Sequence, residues 1–266
     1  MANMIKKFRM LEAGLAADVY YDKQRKTFSG VGMFLFGFPA FPGANIAIQK
    51  MTEAGLVVIN PHWFGTYDSE GLFSPDSMVD TIRKCGQLVS RGYLTNAKNG
   101  ACFEVPAHWS AIVGHSFGCA AALRSSGSLP HLENLILLAP TAHYGTGDRD
   151  FGVREDGLAQ LEYVRTTHPY TYRISPSSTW VEMLTGKDRG KPKGAPPRRA
   201  VIVFGSDDTY FDTRIAQMRM ADLVHEYTGY KETKVVVLPG KGHSLVDLVS
   251  NPPLFDLGTY VHQSKN

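Results

Sequence analysis

The chain has 266 residues, of which 43% are hydrophobic, 11% aromatic and 20% charged, with 28 Lys plus Arg against 25 Asp plus Glu. That length and apolar content suit one large domain or two small ones with a proper core, and exclude disorder as the state of most of the chain. A formal charge of +3 is too slight a basic excess for a nucleic-acid partner, and no apolar run of about 18 residues is present, so no membrane span is expected.

Residues 8–30 are compatible with an opening antiparallel hairpin. The run 31–36 reads as a buried strand ending at Gly37. Residues 44–54 place Ile46, Ile48, Met51 and Ala54 at helical spacing and stop at Gly55. A second strand over 56–59 ends at Asn60-Pro61, and a helix over 76–90 sets Met78, Ile82, Cys85 and Val89 on about one face. Ala111-Ile112-Val113 form a strand that stops at Gly114, followed by an Ala-rich helix over 117–126. Strands at 135–138, 200–204 and 234–238 follow, with a helix over 212–228. Short apolar runs without alternation belong to a parallel sheet buried on both faces. Strands alternating with helices imply right-handed crossovers and an α/β architecture.

Residues 141–199 separate two strands by far more than a simple crossover needs, and hold Phe151, Tyr163, Tyr170, Tyr172 and Trp180 before a Gly/Pro/Lys-rich loop at 186–197. This interval is expected to be a lid inserted above a core made of 1–140 and 200–266. The cysteines Cys85, Cys102 and Cys119 are odd in number and lack CxxC spacing. Reduced thiols in a cytoplasmic protein are therefore expected, with no disulfide and no metal. The N-terminal Lys6, Lys7 and Arg9 are followed by acidic residues and no apolar stretch, so no secretory signal is expected there.

The most informative text is Gly114-His115-Ser116-Phe117-Gly118, set between a strand and a helix. A serine on a sharp, strained strand-to-helix turn stands clear of the sheet, and side chains at the flanking glycines would collide with neighbouring elements. The following N–H, that of Phe117, points from a helix N-terminus toward a developing oxyanion. A serine hydroxyl needs a base to become a nucleophile, and the chain order that goes with this turn is Ser, acid, His. His243, in the Gly-rich loop Gly240-Lys241-Gly242-His243 after the last strand, suits the base. Gly205-Ser206-Asp207-Asp208 offers two adjacent carboxylates for the acid. The second oxyanion donor is expected from Gly37-Phe38-Pro39, with the Phe38 N–H the candidate because Pro39 has none.

Together these segments resemble the α/β-hydrolase superfamily, in its serine hydrolase branch. The resemblance spans about residues 30–260 in order and implies an α/β-hydrolase fold: a mostly parallel sheet of about eight strands flanked by helices, with a lid after the sixth strand. It favours Asp208 over Asp207, since Gly-x-x-Asp is the common form of this loop. Gly65–Gly71 is similar to the loop after the fourth strand in that superfamily. One departure is Phe36-Gly37, where many members have His-Gly. The function implied is a carboxylic ester or thioester hydrolase working through an acyl-enzyme on Ser116, His243 and Asp208, without a cofactor. A serine peptidase or amidase, or a non-hydrolytic cyclase or lyase on the same fold, are the alternatives. Phe41, Trp63 and His115 are expected to contact an apolar or aromatic small-molecule acyl substrate, and a homodimer is left open.

Overall fold

The computed structural model describes residues 5–140, 153–181, 183, 196–210 and 213–249, with the backbone alone for 153–156 and 213–219. The strands are β1 Ile5–Glu12, β2 Leu15–Asp22, β3 Gly30–Leu35, β4 Leu56–Pro61, β5 Tyr93–Thr95, β6 Cys102–Glu104, β7 Trp109–His115, β8 Asn134–Leu138, β9 Arg199–Gly205 and β10 Lys234–Leu238. The helices are α1 Ile46–Glu53, α2 Pro75–Val89, α3 Gly118–Ser125, α4 Val153–Thr167, α5 Thr213–Thr228 and α6 Leu245–Val249.

Eight strands form one sheet in the order β1-β2-β4-β3-β7-β8-β9-β10, and β5 and β6 make a separate hairpin. β1 and β2 pair antiparallel, β2 meets β4 antiparallel, and from β4 to β10 every pairing is parallel. β3, β4 and β8 are buried along their whole length, as continuous apolar runs require. The opening hairpin lies at 5–22 rather than reaching 30. β1 exposes Lys6 and Lys7 in succession and fully buries only Met10, so it presents no apolar run to read.

Local chemistry explains the helix starts. The Asn45 side chain accepts hydrogen bonds from the N–H groups of Ala47 and Ile48, each 3.0 Å, and opens α1. α2 begins at Pro75, one residue before the expected 76, because Ser74 and Ser77 cap each other reciprocally and Pro75 takes the first turn.

Connection direction then places the site. The β3–α1–β4 crossover runs one way along the sheet; β4–α2–β7 and β7–α3–β8 run the other way. Right-handedness puts α1 on one face and α2 and α3 on the opposite face. The crevice at this reversal lies between the C-terminal ends of β3 and β7, where open α/β sheets bind ligands. The loop beginning at Gly37 and the turn at Ser116 both open there. Among the described residues, no helix is long and apolar enough to cross a membrane.

Candidate active site

β7 passes into α3 through two residues, Ser116 and Phe117. Ser116 has φ 52°, a left-handed conformation that a non-glycine residue holds at a cost on the order of 1–3 kcal/mol. The sheet supplies the restraint: the Ser116 N–H donates to the Leu138 carbonyl of β8 at 2.9 Å, while its own carbonyl accepts from the Cys119 N–H at 3.0 Å. A Cβ on Gly118 would lie 2.3 Å from the Leu35 carbonyl oxygen, and one on Gly114 would lie 2.8 Å from Cys119 Cα. Both flanking glycines are therefore demanded by close backbone approach. Cys119 is fully buried against this turn, and burial raises its thiol pKa, so its part is packing.

The acid loop follows β9 and the histidine loop follows β10, which are paired neighbours. His243 Nδ1 lies 2.7 Å from Asp208 Oδ2, and the Asp208 side chain is wholly buried. The other oxygen, Oδ1, accepts from the Tyr210 N–H at 2.9 Å, so both carboxylate oxygens are satisfied. Asp207 points elsewhere: its exposed carboxylate accepts from the Ser206 hydroxyl at 2.7 Å, and its N–H donates to the Lys241 carbonyl at 2.9 Å. Of the two adjacent carboxylates, Asp208 is the one at the imidazole. Nδ1–H facing a carboxylate leaves Nε2 as the proton acceptor of the neutral ring.

Residue 243 is tied to the serine turn through His115. The His115 Nε2 lies 2.9 Å from the His243 carbonyl oxygen, and the two rings are 5.3 Å apart. Burial pushes the His115 imidazole down to about 4, so the ring is neutral near pH 7 and donates its Nε2–H to that carbonyl.

On the other side of Ser116, a Cβ on Gly37 would lie 3.2 Å from Ser116 Cβ and 3.7 Å from its Oγ, so the loop after β3 runs directly past the serine. The Phe38 ring lies 5.5 Å from that of Phe117, the residue that opens α3. Segment 168–180 reaches this loop from the interval expected to be a lid: Phe38 also packs on Tyr172 at 5.2 Å, and Trp180 lies 5.1 Å from Phe73 and 5.9 Å from Phe117.

The architecture matches solved structures over nearly the whole chain. An α/β serine hydrolase from Xanthomonas campestris, described as lacking a lid, superposes with a TM-score of 0.59 at 15% identity, covering 99% of this chain and 96% of that one. An esterase from Pyrococcus furiosus gives 0.59 at 12% identity, with 98% and 91% covered. Est1E from Butyrivibrio proteoclasticus, solved with ferulic acid bound, gives 0.57 at 14% identity, with 96% and 97% covered. This is the α/β-hydrolase fold. No protein-family model and no curated protein matches the sequence.

Within the α/β-hydrolase fold the three residues expected to contact substrate fall in unlike places. Trp63 corrects its expectation: it has no exposed surface and packs on Phe36 at 5.7 Å inside the core, so it offers a substrate nothing. The chain turns back on itself beyond Trp63, where a Cβ on Gly65 would lie 1.9 Å from the Phe73 nitrogen, and apolar content alone does not distinguish such packing from a cavity wall. His115 is engaged with the His243 loop, as above. Phe41 is 84% exposed, but its ring lies beside Tyr67 at 5.9 Å, and Phe38 is the ring that meets the serine turn.

Tyr210 was not singled out by sequence. It is 67% exposed and its ring lies 4.4 Å from that of His243. Its position two residues after Asp208 was the available signal. The basic loop at 186–197 lies mostly outside the described residues. Among the described residues, no group of three or more His, Cys, Asp or Glu side chains is arranged to hold a metal ion.

Proposed function

We propose that this chain is a serine hydrolase that cleaves carboxylic esters or thioesters through an acyl-enzyme on Ser116. The observation that carries the reading is the 2.7 Å contact between buried Asp208 and His243 Nδ1, joined through His115 to the strained turn that presents Ser116. The esterase and serine hydrolase descriptions of the solved structures support it.

Ser116 Oγ attacks the acyl carbon while His243 Nε2 takes its proton, and Asp208 holds the tautomer and stabilises the imidazolium. The backbone N–H groups of Phe38 and Phe117 receive the negative oxygen of the tetrahedral intermediate. As the C–O or C–S bond breaks, His243 returns the proton to the leaving alkoxide or thiolate. Water then attacks the acyl-enzyme, its proton passing to His243 and on to Ser116 Oγ, and the free acid departs.

We read the substrate as a small molecule with an apolar or aromatic acyl group. Phe38 and Tyr210, partly exposed on either side of the serine and histidine, are the surfaces for it, and the aromatic ferulic acid on Est1E is in keeping with that class. Segment 141–199 is taken as an insertion above this edge of the core.

A fluorophosphonate probe should label the wild-type chain covalently at one site and fail to label Ser116→Ala. A panel of p-nitrophenyl esters, thioesters and aminoacyl anilides should show turnover of the first two. Wild-type protein that does not label refutes the reading; anilide turnover above ester turnover transfers it to a peptidase or amidase.

A further inference from the structure

The loop that carries Phe38 is poor in its own supports. Pro39 and Pro42 have no N–H to donate, so the loop cannot brace itself with a ladder. Ala40, between them, is held from outside on both its backbone groups. Its N–H donates to the Tyr172 hydroxyl at 3.0 Å, and its carbonyl accepts from Tyr67 at 2.7 Å and from Tyr172 at 2.6 Å. The two hydroxyl oxygens are 3.0 Å apart. A carbonyl has two lone pairs, and each phenol has one proton to give, so the cluster closes with every group satisfied.

The tyrosines are themselves fixed from independent directions. Tyr67 has φ 47°, a conformation maintained only where surroundings demand it. Its N–H donates to Thr171 at 2.8 Å, Arg173 N–H donates to Gly65 at 2.7 Å, and Phe73 N–H donates to Arg173 at 2.8 Å. The Arg173 guanidinium also donates to the Gly71 carbonyl at 3.2 Å and to those of Tyr67 and Ser69. Tyr172 is almost fully buried and packs edge-on against the Phe38 ring. Burial raises the Tyr67 phenol, with the Tyr172 hydroxyl beside it adding to the rise, and burial raises that of Tyr172, so both keep their protons across the working pH range.

We propose that Tyr67 and Tyr172 are positioning residues for the oxyanion hole, their hydroxyls clamping Ala40 and thereby setting where the Phe38 N–H points. This rests on the serine hydrolase reading above and deepens it. A segment of the insertion then takes part in catalysis without touching substrate, by holding a donor two residues from its grip. A misplacement of about 1 Å at such a donor costs on the order of 10²-fold in rate.

The test uses Tyr67→Phe, Tyr172→Phe and the double variant, which keep the rings and remove only the hydroxyls. Serine content is titrated with the fluorophosphonate, and per-site kcat, KM and the Ki of a boronic acid, whose tetrahedral adduct occupies the oxyanion hole, are measured. Each single variant should lose about 10-fold in kcat and the double about 100-fold, with KM changed by less than about 2-fold and boronate affinity lost in the same proportion as kcat. Unchanged per-site kcat and boronate affinity overturn the clamp, including the case in which only the number of titratable sites falls. Should Tyr172→Phe not fold, Tyr67→Phe carries the test on the same readouts. Wild-type protein that labels and turns over ester while the variants match it refutes the clamp alone. Wild-type protein that does neither refutes the hydrolase reading and the clamp with it.

Discussion

The serine turn at 114–118 and the weave of 65–73 with 168–180 both lie along the loop that carries Phe38, and they achieve their order by opposite means. The turn's pattern is local: five consecutive residues carry it, with glycines where a Cβ would strike backbone, while β3 and β8 supply the backbone that holds it. The weave is non-local: Tyr67 and Tyr172 meet across 105 positions of sequence, and neither has a neighbouring pattern that foretells the other. A device written in consecutive residues can be read before the fold is known; a woven one exists only when the rest of the fold has delivered both strands of it.

Four tests sharpen that contrast, beginning with the largest effect on turnover. Asp208→Asn should leave the loops in place and cut kcat by about 10⁴-fold, because the amide favours the wrong imidazole tautomer. Asp207→Asn, one residue away and hydrogen-bonded to Ser206 instead, should change kcat by less than about 3-fold; steady-state ester kinetics that rank them the other way would move the acid role to Asp207.

Gly118→Ala tests the local device. Its Cβ would sit 2.3 Å from backbone oxygen of Leu35, so a loss of about 3 kcal/mol or more is expected in urea unfolding. A variant as stable as wild type would show that the turn can relax. Arg173→Gln tests the woven one. Removing a guanidinium that donates to four carbonyls, those of Tyr67, Ser69, Tyr170 and Gly71, should cost about 1–2 kcal/mol, read as a lower melting temperature, with protease cleavage appearing first within 65–73 or 168–180. Cleavage elsewhere would assign Arg173 no part in the weave.

The last test is with pH. Burial lowers both His62 and His115 to about 4, from an ordinary 6.5. Between those values the unfolded chain takes up more protons than the folded one. Stability from these two rings is therefore complete above about pH 6.5 and is lost as pH falls toward 4. The melting temperature should decline through that window, and His62→Leu should shallow the decline; an unaltered slope would remove His62 from the account.

The same division governs what could be read beforehand. The β3, β4, β7 and β8 strands were legible because each carries a short apolar run buried on both faces of the sheet. β1 was not, because Lys6 and Lys7 face solvent at the edge of the sheet, and β5 and β6 are too short to carry a pattern. Ser116, His243 and the Asp207/Asp208 pair could be named because loops at strand ends are punctuated by glycine. Trp63 was misplaced because the same aromatic composition serves a core and a cavity wall, and burial is decided by which chain segments pass over it.

By itself the sequence determined the strand-and-helix alternation, the glycine-flanked pattern around Ser116 and the order of the chemical groups, all matters of residues a few positions apart. Only the tertiary structure decided which carboxylate meets His243, that His115 grips the histidine loop, and that two distant tyrosines hold Ala40. Those contacts join separate strand ends, and their distances depend on twist, register and packing summed over the whole sheet, which no short stretch of residues encodes.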